Sequence, residues 1–133
     1  MFLRPLNKKQ KELFLELALK AAAANDVIEE SEKALLAAYA DEMGIEPISD
    51  NSLELDAILV GLKEISSVRE LNQITFEIAG MMMSDLSYDD TEKEFMNNLA
   101  SVWGISNEKI NEMFECVNEY TDLIKKINVL LFD

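Results

Sequence analysis

Carboxylates are the only reactive side chains that this sequence gathers in number, and it gathers them in two short turns. Asp85, Asp89, Asp90 and Glu92 crowd one stretch, and Asp26, Glu29, Glu30 and Glu32 crowd another about sixty residues earlier. Grouped carboxylate oxygens suit a hard cation such as Ca²⁺ or Mg²⁺, with water completing the shell. A pair such as Glu32 and Glu92, facing across a cleft, would instead serve as general acid and base. That second chemistry needs one carboxyl buried and its pKa raised, and both stand among hydrophilic turn residues. Other catalytic equipment is scarce. The chain has no histidine, the commonest general base and a common metal ligand. Its single cysteine, Cys116, is expected on a buried helix face, and one thiol can neither close an internal disulfide, complete a structural zinc site, nor cycle as a dithiol. It also suggests a reducing compartment. The expectation is a protein that is not an enzyme, with a carboxylate-based hydrolase as the catalytic alternative.

A calcium loop of the EF-hand type is excluded by position. With Glu32 as the twelfth residue, the first and third ligands would fall on Ala21 and Ala23, and in the second turn on Met81 and Met83. A local role accounts for part of each cluster. If Glu29 and Asp89 cap the helices that follow, Glu32 and Glu92 stand at the third helical position, where a carboxylate reaches back to the cap amide and suits the positive helix end. Capping explains Glu32, Asp89 and Glu92; the surplus acids Asp26, Glu30, Asp85 and Asp90 are left for an ion or for water.

The elements that must hold these turns are helices. Period-2 alternation and hairpin glycines are missing, while Ala, Leu, Met, Glu and Lys abound. Asn7 with Gln10 has capping-box form and opens a helix to about Ala24, with Phe14, Leu17, Ala18, Ala21 and Ala22 inward. A second helix spans about 30–43, with Leu35, Leu36, Tyr39, Ala40 and Met43 inward and Gly44 as its stop. A shorter connecting helix, Leu53 to Gly61, follows within about 52–62. Ser67 to Glu70, another capping box, starts a helix through about Met83, and a further helix runs from Asp90 to Trp103, stopped by Gly104. After Ser106, Met113, Val117, Tyr120, Ile124, Ile127 and Leu131 form an apolar seam spaced alternately four and three. The seam predicts a helix packed on its own domain, broken near Thr121–Asp122. The fold class expected is all-α: one domain of six or seven helices.

The second half repeats the first without a gap. Phe14 meets Ile74, Ala18 meets Ile78, Ala21 meets Met81, Leu35 meets Phe95, Met43 meets Trp103, and Gly44-Ile45 meets Gly104-Ile105. Keeping apolar type while volume changes is what two halves of one core require. The reading is an internal duplication: repeat one about 8–48, repeat two about 67–108, and a C-terminal helical region about 107–131, with Ala21, Ala40, Met43, Met81, Ala100 and Trp103 buried between them.

Composition limits the partners. At 133 residues the chain can bury roughly 68% of its unfolded surface without staples. Asp and Glu outnumber Lys and Arg 26 to 12, for a net charge of −14, which disfavours nucleic acid and anionic lipid. The apolar run Leu13 to Ala24 is interrupted by Glu16 and Lys20 and is too short to cross a bilayer. A cytoplasmic protein with no direct membrane insertion is expected.

The turns also resemble a family signature. The form A-D-G-x-[hydrophobic]-x-x-x-E, preceded by an apolar helix, followed by one ending in L-G-I and present twice, looks like the TerB-like family of tellurite-resistance and stress-response proteins. The fold of that family is also similar to the N-terminal domain of a DnaJ-type co-chaperone. The resemblance covers roughly residues 10–120. The family's Asp falls on Asn25 and Asp85, its Gly on Asp26 and Leu86, its hydrophobic residue on Ile28 and Tyr88, and its Glu on Glu32 and Glu92. It implies a duplicated helical domain with an acidic metal-binding surface, and a protein partner in a stress or membrane-associated complex. The function expected is a stress-associated module whose acidic, weakly cation-binding surface meets that partner. The alternative is an ion-free interaction scaffold, monomer or weak homodimer, using the C-terminal seam or a protruding Phe2-Leu3.

Overall fold

A computed structural model describes residues 2–23, 30–46, 53–83 and 90–132. Of these, 84% are helical and none lies in a strand, so the all-α class holds. The helices are α1 (Lys8–Ala22), α2 (Glu30–Met43), α3 (Leu55–Ile65), α4 (Val68–Met82), α5 (Asp90–Trp103) and α6 (Asn107–Phe132). Both capping boxes form. The amide of Gln10 donates to Asn7 Oδ1 and the amide of Asn7 to Gln10 Oε1, each at 2.9 Å. Ser67 and Glu70 make the same exchange at 3.1 and 2.9 Å. Two orphan donors are thereby satisfied at each helix start.

The stops repeat as well. Gly44 and Gly104 sit at φ +69° and +70°, a left-handed conformation that glycine adopts without a Cβ penalty. Beyond them Ile45 donates to the carbonyl of Ala40 at 3.1 Å and Ile105 to that of Ala100 at 3.0 Å, the six-residue closure of a Schellman stop. Lys11 Nζ adds a bond to the carbonyl of Met43, 3.1 Å away. The bounds of α4 and α5 are those of α1 and α2 advanced by sixty residues, and the pattern of burial from Phe14 to Ala23 recurs from Ile74 to Met83.

Around α1 the other elements assemble: it packs on α2, α3 and α4, while α4 also packs on α6, and α5 packs on α3 and α6. Phe14, Leu17 and Ala18 of α1 and Ile74, Ile78 and Met81 of α4 are buried together with Ala21, Ala40, Met43, Ala100 and Trp103. The Trp103 indole N–H also finds a partner, the carbonyl of Leu59, at 2.8 Å. Gln10, itself buried, donates to the Ile65 carbonyl and to Ser66 Oγ at 3.3 and 3.0 Å, tying the start of α1 to the end of α3.

Five expectations are corrected. The connecting helix begins at Leu55 and continues through Gly61 to Ile65, because Gly61 is an approach point and not a stop: a Cβ there would lie 3.4 Å from Leu13 Cδ1. Leu3 does not protrude; it is 0% exposed, and its amide donates to Glu42 Oε2 at 3.0 Å. The last helix is unbroken at Thr121–Asp122. It buries Ile110 and Val117 but leaves Tyr120, Ile124, Ile127 and Leu131 exposed, so the seam packs on its own domain only in its first half, and Cys116 on this helix is exposed. No helix among the described residues is long and apolar enough to cross a membrane.

Trp103→Ala combines a large cavity with an orphaned Leu59 carbonyl. It is expected to cost about 3–5 kcal/mol in chemical denaturation, and a loss under about 1 kcal/mol, the range of a surface change, would remove Trp103 from the core.

Candidate functional site

The carboxylates singled out by the sequence divide by position. Asp26, Asp85 and Asp89 lie outside the described residues, as does the side chain of Glu32. Asp90 opens α5 with its side chain in solvent, 3.9 Å from Lys93 Nζ, an exposed pair worth little. Glu92, two residues on, is only 2% exposed. This corrects its placement among hydrophilic turn residues: with Met96, Leu99 and Trp103 it occupies the inward stripe of α5, and the spacing of four, three and four already carried that signal. Asp90 and Glu92 thus point to opposite environments. Among the described residues no three Asp, Glu or Cys side chains are grouped to hold a metal ion.

What the fold does assemble is a cavity of about 690 Å³ between α2, α4, α6 and the N-terminal segment. Its walls are mainly apolar, supplied by Leu35 and Tyr39 of α2, Phe76 and Gly80 of α4, and Val117 and Tyr120 of α6. Two edge-on ring contacts involve its wall residues: Phe14 to Tyr39 with centroids 5.2 Å apart, and Phe2 to Phe76 at 6.0 Å. The acids at its edge have structural duties. Glu77 Oε1 accepts from the amide of Phe2 at 2.7 Å, and Glu42 Oε2 from that of Leu3. Burial alone would raise the Glu42 carboxyl, but the hydrogen bonds it accepts from the N-terminal end, the Leu3 amide included, and the positive charge there, Arg4 included, outweigh it and hold the pKa below the usual range. The Tyr39 hydroxyl donates to the Glu77 carbonyl at 3.2 Å. Burial first, and then the charges of Glu77 and Glu42, push its pKa well above the ordinary tyrosine value.

This groove lies where α2 and α5, equal in length and sixty residues apart, differ in their neighbours. α5 is covered by α3 and α6, whereas α2 has α1 as its one substantial helix neighbour among the described residues. Leu35 and Leu36 are consequently half-buried, while Phe95 and Met96, their counterparts sixty residues on, are buried. Such a surface can take apolar side chains, and it presents neither a cysteine nor Glu92 among its walls. A second depression of about 870 Å³, near Lys8, Glu12 and Asp41, is of mixed charge. The sequence reading missed the groove: Leu35, Tyr39, Phe76 and Val117 read as ordinary core, and only the distances between helices separate core from cleft. Comparison with models of known families, with curated proteins and with solved structures finds no match for this chain.

Two measurements probe these groups. Because the Tyr39 pKa is raised on folding, its contribution to stability is whole below about pH 10 and is lost as pH rises further, at up to about 1.4 kcal/mol per pH unit. Tyr39→Phe is expected to cost about 0.5–1.5 kcal/mol at neutral pH for the lost hydrogen bond and to unfold less steeply than the parent above pH 10; parallel alkaline limbs would place this hydroxyl in water. For the acidic turns, Ca²⁺ or Mg²⁺ should raise the melting midpoint only at about millimolar concentration. A saturable shift beyond that of NaCl at matched ionic strength, abolished by Asp85→Asn and kept by Asp26→Asn, would put an ion at the second turn, and equal shifts for all salts would mean charge screening alone.

Proposed function

We propose that this chain is a non-enzymatic, duplicated helical module of the TerB-like kind that binds a protein partner, its apolar groove taking helix side chains and its acidic surface selecting for positive charge. The observation that carries the reading is the under-covered flank of α2. Leu35 and Leu36 stay half-exposed beside a largely apolar groove, an arrangement suited to an amphipathic helix laid in a cleft. The charge of −14 favours a ligand with lysine or arginine beside its apolar face. Resemblance of the two acidic turns to the TerB-like signature supports a stress-response setting in the cytoplasm. Weak cation binding at Asp85, Asp89 and Asp90, without the buried Glu92, would tune that surface without doing chemistry.

A photo-crosslinking side chain at Ala38, exposed on the groove wall, tests the reading against the same group at Glu64, exposed on α3 away from it. Ala38 is expected to capture a polypeptide in cells and Glu64 to capture none of the same mass. Gly80→Leu should abolish the capture while leaving the melting midpoint unchanged or higher. A Cβ at Gly80 meets nothing within 4 Å, and replacing a mid-helix glycine with a helix former is favourable by roughly 0.5–1 kcal/mol. Equal capture at both positions, or capture indifferent to Gly80→Leu, would count against a groove-binding module.

A further inference from the structure

The apolar side of α6 does not stop where the domain does. Tyr120, Leu123, Ile124, Ile127, Leu130 and Leu131 recur at intervals of three and four along one side of a continuous helix, and all are exposed, Leu130 by 81%. That stripe is broader than a strict two-position coiled-coil seam and has the width of a helix packed on a globular surface. We infer that it is covered by a second copy of this chain: the C-terminal half of α6 of each molecule lies along the α2 flank and groove of the other, in a two-fold, mutually exchanged dimer.

Three observations choose this occupant, and all rest on the groove being a binding site as proposed above. The first is the bare flank of α2. Phe95 and Met96 of α5 are buried, whereas Leu35 and Leu36, at the matching positions of α2, are only half-buried. The apolar tail of a second copy laid along this flank would bury them. The second is charge. Residues 123–132 carry Lys125 and Lys126 and no carboxylate side chain, in a chain whose net charge is −14, so the tail is a basic, apolar segment suited to the acidic body of a second copy. The third is area. At roughly 150–200 Å² per large side chain, scaled by their exposures of 38% to 81%, the six residues offer on the order of 600 Å², and with the groove walls each copy approaches the ~800 Å² per partner of a standard interface. Groove and tail also adjoin on one surface, since Val117, Tyr120 and Lys125 line the groove that the tail runs out from. Each copy can then lend a tail and accept one, as an isologous contact requires.

The test uses the full chain, purified, in sedimentation and in light scattering across micromolar to millimolar concentration. A dimer is expected, with a melting midpoint that rises with protein concentration. Gly80→Leu, which fills the groove, and Ile127→Gln, on the exposed tail, should each weaken dimerisation at least tenfold while each monomer keeps its helicity. A crosslinker at Ala38 should join to residues 123–132 of another copy. A chain that stays monomeric at millimolar concentration overturns the inference, even if it binds vesicles of phosphatidylserine and phosphatidylcholine through the tail. So does a dimer that is indifferent to Gly80→Leu and linked tail to tail. If the monomer's Ala38 crosslinks in cells to a different protein and Gly80→Leu abolishes that capture, the interaction module stands without the dimer; if Ala38 captures nothing in either setting, both readings fall.

Discussion

Burial of the apolar stripes of α1 and α4, which pack on each other and between them on α2, α3 and α6, is the constraint on which the fold depends. Each is fifteen residues long, and each presents a stripe that is apolar over nearly its whole length. Side by side these stripes remove Phe14, Leu17, Ile74, Ile78 and Met81 from water, at about 1.5–3 kcal/mol for each large side chain. Neither helix would persist alone at that length, since isolated helices of this size are marginal. Ala18, Ala21 and Ala22 of α1 and Ile78, Met81 and Met82 of α4 are all buried; enlarging the alanines would overpack the core.

Polar groups caught in this core are provided for locally or by a neighbouring element. Gln10 serves its own helix cap and the end of α3; Thr75 Oγ1 returns a bond to the Leu71 carbonyl at 2.7 Å; Trp103 and Tyr39 reach backbone carbonyls on other helices. Glu77 and Glu42 hold the N-terminal segment against α4 and α2. The cleft beside them is left with mainly apolar walls, and this shapes its chemistry. It suits side chains of a helix better than a charged metabolite, because a pocket without a ring of convergent polar groups has little to orient such a ligand.

α2 and α5 differ in the length of the connection that follows them. Ile105 and Ser106 alone separate Gly104 from α6, whereas ten residues lie between Gly44 and α3. After the longer connection α3 packs on α5. The short one launches α6 directly, with Ser106 Oγ accepting from the Lys109 amide at 3.2 Å, and a helix of 26 residues outruns the domain it starts from. The uncovered flank of α2 and the bare tail of α6 thus have one origin, and the proposed exchange between copies resolves both.

Helix class, both capping boxes, both glycine stops and the buried stripe were legible in the residues, because each is a local matter. A cap joins positions three apart, a stop needs one residue at positive φ, and a stripe needs only a period of 3.6. Tertiary structure decided what depends on distances between remote segments. Gly61 reads as a stop until Leu13 is placed against it; Leu3 reads as a loose end until it is buried; Cys116 and the second half of the C-terminal seam read as buried until α6 is seen to outrun its support. Glu92 lies between the two cases. Its stripe position was visible in the spacing, but an acid in a turn reads as solvated until the helix is docked. The groove was wholly a tertiary product: an apolar side chain in a core and one in a cleft have the same sequence signature, and only the spacing of α2, α4 and α6 tells them apart.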